Sequence, residues 1–138
     1  ISVRDYLTKP NKFKTNYKCY KVAVEFTEKE VSVHPYFLGL WLGDGHNYSS
    51  RITTQDAEVV DYLHAYAEDL KLQVAEYVQP GKCANYAITK GSRGGRDFYS
   101  VQDELRKLNV LQNKHIPQAY LSNSTQNRLW LLAGLIDS

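Results

Sequence analysis

The chain has 138 residues, of which 43% are hydrophobic, and a formal net charge of +2. That length suits one domain with a modest core, and the apolar runs fall far short of the roughly 20 residues needed to span a bilayer. A charge so near neutral does not by itself imply a nucleic-acid partner. Ile1 opens a polar stretch, no methionine occurs, and no signal-peptide pattern is visible, so the sequence reads as an excised, non-secreted piece of a longer polypeptide. Cys19 and Cys83 stand alone without metal-ligand spacing and read as reduced thiols.

In chain order, residues 1–7 suit a short helix or strand, with Ser2 as a cap. Residues 9–21 are basic and interleaved with Phe13, Tyr17 and Tyr20, a mix that suits nucleic acid or an ordinary strand. Residues 21–26 alternate, with Val22, Val24 and Phe26 on one side, and predict a strand. An acidic cluster of Glu25, Glu28 and Glu30 then precedes residues 35–45, Pro-Tyr-Phe-Leu-Gly-Leu-Trp-Leu-Gly-Asp-Gly. Pro35 fits a first helical turn, and residues 37–42 are apolar on every side, so this helix should be buried all round. Gly39 and Gly43 share one face. Each costs roughly 1 kcal/mol relative to alanine, so another backbone is expected to approach there. Asp44 opposes the macrodipole at the helix end and creates a cation site; Gly45 stops the helix.

A polar turn at 46–50 leads to a strand at 51–54. Asp56 caps an amphipathic helix at 57–71 with Val59, Leu63, Tyr66, Ala67 and Leu70 on one face. Strands at 73–78 and 84–89 form a hairpin around Pro80-Gly81. Residues 90–96 are a glycine-rich basic loop without P-loop spacing. A helix follows at 98–108, Pro117 interrupts, and Ser124 caps the last helix. Such alternation fits an α/β or α+β chain.

The last stretch, residues 129–138, reads Leu-Trp-Leu-Leu-Ala-Gly-Leu-Ile-Asp-Ser. Aligned with the first motif, Gly39 matches Gly134 and Gly43 matches Ser138. Residues 132–137 match the start of the LAGLIDADG motif, and 37–45 look like a diverged first copy. The chain therefore resembles a two-motif LAGLIDADG homing endonuclease of the fungal intein-embedded type, over residues 36–138, and ends within the second motif. The resemblance implies an α+β fold, an αββαββ half with an antiparallel sheet. It divides the chain into a linker or end of an intein splicing region at 1–34 and a first endonuclease half at 35–138.

It further implies metal-dependent, site-specific double-strand DNA cleavage in the complete protein, this chain alone being inactive. Mg2+ would be the cofactor, with Mn2+ as a substitute. The partners would be double-stranded DNA and the remainder of the intein or endonuclease chain, with no membrane and no small-molecule substrate, in the nucleus or cytoplasm. The alternative is a cleavage-inactive DNA- or RNA-binding derivative, maturase-like or decayed. By resemblance, Asp44 and Lys114 are catalytic, with Lys114 acting on the attacking water. Asp44 and the Gly43 and Ser138 carbonyls would hold the metal. Asp137, one helical step from the expected second carboxylate, reads as a helix-end residue. Gly39, Gly43, Gly134 and Ser138 would form the helix interface. Arg51, Thr53, Lys82, Asn85, Lys90, Arg93 and Arg96 lie on or beside predicted strands and loops as DNA contacts. The sequence leaves open which strand face meets DNA.

Overall fold

A computed structural model describes residues 1–17, 23–91 and 99–138. The protein is α+β, with seven helices and a small three-stranded antiparallel sheet among the described residues. In order, the elements are α1 (Val3–Thr8), α2 (Asn11–Asn16), α3 (Pro35–Asp44), β1 (Ile52–Thr53), α4 (Ala57–Asp69), β2 (Gln73–Tyr77), β3 (Asn85–Thr89), α5 (Val101–Lys107), α6 (Gln118–Leu121) and α7 (Thr125–Ile136).

The first motif helix, α3, is the centre of the core. Phe37, Leu38, Leu40 and Trp41 are all buried, as expected of a helix apolar on every side. His34 caps its start, its Nδ1 accepting the Tyr36 N–H at 3.3 Å. Its end is closed by the Gly45 N–H, which donates to the Trp41 carbonyl at 2.9 Å. The last helix, α7, lies against α3 and runs in the same direction, with Gly39 against Leu131 and Gly134, and Gly43 against Ser138. The approach is backbone on backbone. A Cβ on Gly39 would strike the Leu131 carbonyl oxygen and come within 2.9 Å of Gly134. A Cβ on Gly134 would strike the Tyr36 carbonyl and lie 2.9 Å from the Leu40 nitrogen.

The sheet runs β1-β3-β2, all antiparallel, with Thr53 opposite Asn85 and Tyr77 opposite Asn85 on the other side. Period-two alternation then sorts its faces. Ile52, Val74, Tyr86 and Ile88 turn toward the core, where α4 adds Val59, Leu63 and Ala67 and α5 adds Val101 and Leu105. Thr53, Asn85 and Tyr77 turn the other way. The Asp56 and Ser100 side chains cap α4 and α5, accepting from Glu58 and Asp103 N–H groups.

The structure departs from the sequence reading at several elements. The basic stretch at 9–21 contains helix α2, favoured by the i,i+4 stacking of Phe13 on Tyr17 at 4.4 Å. Residues 23–26 form no strand. Arg128 holds them instead, donating to the Val24 carbonyl and stacking 5.2 Å from the Phe26 ring centre. Lys21 and Val22, like Cys19, lie outside the described residues. The first strand pair of an αββαββ unit is reduced to β1 and a single bridge between Gly45 and Ile52. Helix α6, which follows Pro117, carries Tyr120, whose hydroxyl donates to the Val33 carbonyl at 2.8 Å. Residues 29–34 are fastened at further points. Asn123, fully buried, accepts the Lys29 N–H and donates to the Lys29 carbonyl, and Tyr99 donates to the Ser32 carbonyl.

Two outcomes follow from this packing. Gly39→Ala forces two backbones apart and lowers stability by about 2 kcal/mol or more, read as a reduced urea midpoint. His34 must be neutral to accept the Tyr36 N–H. Burial holds it below its usual 6.5, with Asp69 partly opposing this. Because the folded value is depressed, its contribution is present above the unfolded value and is lost as pH falls through the folded one. Thermal stability therefore drops as pH falls below the ordinary imidazole range, and His34→Asn, a neutral cap, flattens this part of the profile.

Candidate nucleic-acid interface

Two polar places flank the end of α3. The first is its C-terminal corner. The last carbonyls of a helix have no partner within it, and here one side chain serves three of them. Lys114 Nζ donates to the carbonyls of Leu42 at 3.1 Å, Gly43 at 3.2 Å and Gly45 at 2.7 Å. It also lies 5.1 Å from the Trp41 ring centre. Partial burial lowers the Lys114 ammonium from its ordinary value, while the Asp44 carboxylate favours the charged form. The cation drawn to this negative helix end is thus Lys114 itself. Asp44 is exposed beside it.

Mg2+ binds through one or two carboxylates, phosphate oxygens and several waters. Asp44 fits the single-carboxylate part of that donor set. The Gly43 carbonyl already accepts from Lys114, and the Ser138 hydroxyl donates to Leu135 at 3.0 Å. Among the described residues, no three His, Cys, Asp or Glu side chains come together to hold a metal. Asp137 accepts from the Tyr36 hydroxyl at 2.7 Å. Burial and this acceptor push the Tyr36 hydroxyl up to about 12.

The second place is the outer face of the sheet. Two adjoining depressions of about 830 and 500 Å3 share His46, Arg51 and Tyr77. The Arg51 guanidinium stacks 4.0 Å from the Tyr77 ring centre, which holds a cation at the surface without neutralising it. Thr53 and Asn85 lie beside it, bonded to each other at 2.6 Å, and His46 Nε2 reaches both. Lys82 lines the larger depression and Lys90 the smaller. Arg93 and Arg96 lie outside the described residues.

Arg51, Thr53, Lys82 and Asn85 therefore share one depression, and Lys90 borders its neighbour. Asp44 and Lys114 sit together at the α3 end. His46 and Tyr77 escaped the sequence reading. A lone histidine after a helix carries little signal, but strand alternation does place Tyr77 on the face of Asn85 once the hairpin register is known.

These features define a small α+β unit with a polar, cation-bearing sheet face. No protein-family model matches the chain. Over 116 residues, 84% of its length, it is 34% identical to a protein named replicative DNA helicase DnaB from Mycobacterium intracellulare, and it spans 16% of that protein. This finding corrects the resemblance drawn from the paired motifs. The matched protein is named a helicase, not a LAGLIDADG homing endonuclease, and so the endonuclease assignment is withdrawn, together with intein-encoded double-strand cleavage and the maturase-like alternative. The repeat of small residues on two apolar helices instead records how α3 and α7 pack. Among the described residues, no helix is long and apolar enough to cross a membrane.

Lys114→Met keeps much of the stem but removes three donors to the α3 end. It lowers unfolding free energy by about 1–3 kcal/mol, measured by urea denaturation. An unchanged midpoint would mean that water replaces the ammonium without loss.

Proposed function

We propose that this chain is a DNA-contacting segment of a larger DNA-replication polypeptide, laying the outer face of its sheet against duplex DNA. The observation that carries this reading is the Arg51–Tyr77 stack beside Thr53, Asn85, His46 and Lys82 in one open depression. A cation held at the surface suits phosphate, while amide and hydroxyl groups suit base edges. The name of the matched helicase supports DNA as the partner. Strand separation is not assigned to this segment, whose sequence contains no G-x-x-x-x-G-K-[ST] run. Where DNA phosphates approach the α3 end, Asp44 would share a hydrated Mg2+, or Mn2+, with them. The ion would neutralise charge there.

The test is fluorescence anisotropy on a mixed-sequence duplex. Affinity should fall steeply between about 50 and 200 mM salt, because each phosphate contact releases counterions. Arg51→Ala should weaken binding on every sequence and reduce the salt slope by about 1. Binding that ignores salt, or an Arg51→Ala slope equal to the wild type, contradicts the interface.

A further inference from the structure

On the outer sheet face, one amide is held by two neighbours. Asn85 Oδ1 accepts from the Thr53 hydroxyl at 2.6 Å and lies 2.7 Å from His46 Nε2. His46 Nε2 also lies 3.1 Å from Thr53 Oγ1. At the other end of the amide, Nδ2 points to the Cys83 carbonyl at 3.5 Å. A carbonyl only accepts, so the nitrogen belongs on that side and the oxygen on the side of Thr53 and His46. The ring is itself placed by its backbone, whose N–H donates to the Arg51 carbonyl at 2.8 Å. The three residues come from different parts of the chain: the turn after α3, strand β1 and strand β3.

An asparagine amide offers one acceptor oxygen with two lone pairs and two N–H donors. Here two donors occupy the oxygen, so what remains for an incoming partner is N–H. The Cys83 carbonyl, at the far limit of hydrogen-bond distance, is readily exchanged for a better acceptor.

Resting on the DNA-contacting reading above, we propose that Asn85 is a specificity residue acting as a donor only, that His46 and Thr53 position it, and that it selects a G·C pair. Guanine shows two neighbouring acceptors, O6 and N7, in the major groove. The usual asparagine partner is adenine, which needs the amide oxygen to accept from N6 while the nitrogen donates to N7. His46 and Thr53 have already taken that oxygen. Releasing it restores the adenine pairing. The preferred base pair is thus set by two residues that need not touch DNA.

The experiment is selection of the full chain on a randomised duplex pool. The position read by Asn85 is the one whose preference disappears in Asn85→Ala. In the wild type that position should be G·C, enriched roughly tenfold or more over A·T. Thr53→Val, nearly isosteric, and His46→Ala each free one of the two lone pairs of the oxygen, enough to accept from adenine N6, and should move the same position toward A·T. Merely loosening the sheet would weaken binding without exchanging one base pair for another. An A·T preference in the wild type overturns the proposal, as does G·C retained in both variants. In either case the DNA-contacting reading stands. A wild-type chain that retains no duplex at all overturns both.

Discussion

The structure depends on the meeting of two backbones at Gly39 and Gly134. Side-chain packing normally keeps helix axes about 8–10 Å apart. Here no Cβ intervenes on either side at the crossing, and the main chains of α3 and α7 touch. Each glycine weakens its own helix by roughly 1 kcal/mol, so the close approach must return more through dispersion contacts. With α7 on its glycine face and α4 and β1 beside it, residues 37–41 of α3 are buried, while Gly43 and Asp44 at its end stay exposed. Its C-terminal end is thereby fixed beside the sheet, and Asp44, Lys114 and His46 inherit their places from that.

Much of this was readable from residue types. The glycine spacing marked the close approach, Ser2, Asp56 and Ser124 marked helix starts, and Pro80-Gly81 marked the hairpin. These signals are local, and local chemistry decides them. What escaped the sequence rests on side-chain contacts, some of them local and some with distant partners. Helix α2 follows from an aromatic stack, and the extended 23–26 segment from Arg128. The His34 cap needs Tyr36, with the Tyr62 hydroxyl 3.2 Å from the same nitrogen. The three carbonyls at Lys114 belong to residues some seventy positions away. The functional misreading has the same root. A run of small and apolar residues specifies how two helices pack, and packing can be shared by proteins with different work.

The two ends of the sheet region use polar groups differently. At the α3 corner, donors are consumed internally: one ammonium closes a helix that its own aspartate destabilises. On the outer face, Arg51 is supported by an aromatic ring rather than paired with a carboxylate, so its charge stays available. The Thr53–Asn85–His46 cluster combines both habits. It satisfies one end of an amide and holds the other only loosely, on the Cys83 carbonyl at 3.5 Å.

The α3–α7 contact joins segments from nearly opposite ends of the chain. Contacts this distant in sequence form slowly, because the intervening chain must be ordered before they bring any gain. The β2–β3 hairpin and α4 can form from neighbours alone, while α3 must wait with its glycine face bare. During synthesis from the N-terminus, that wait lasts until α7 has left the ribosome. The Gly39 face of α3, flanked by Tyr36 and Leu40, is therefore the surface most in need of protection during this interval, and the helix that organises the finished fold is among the last to be sealed.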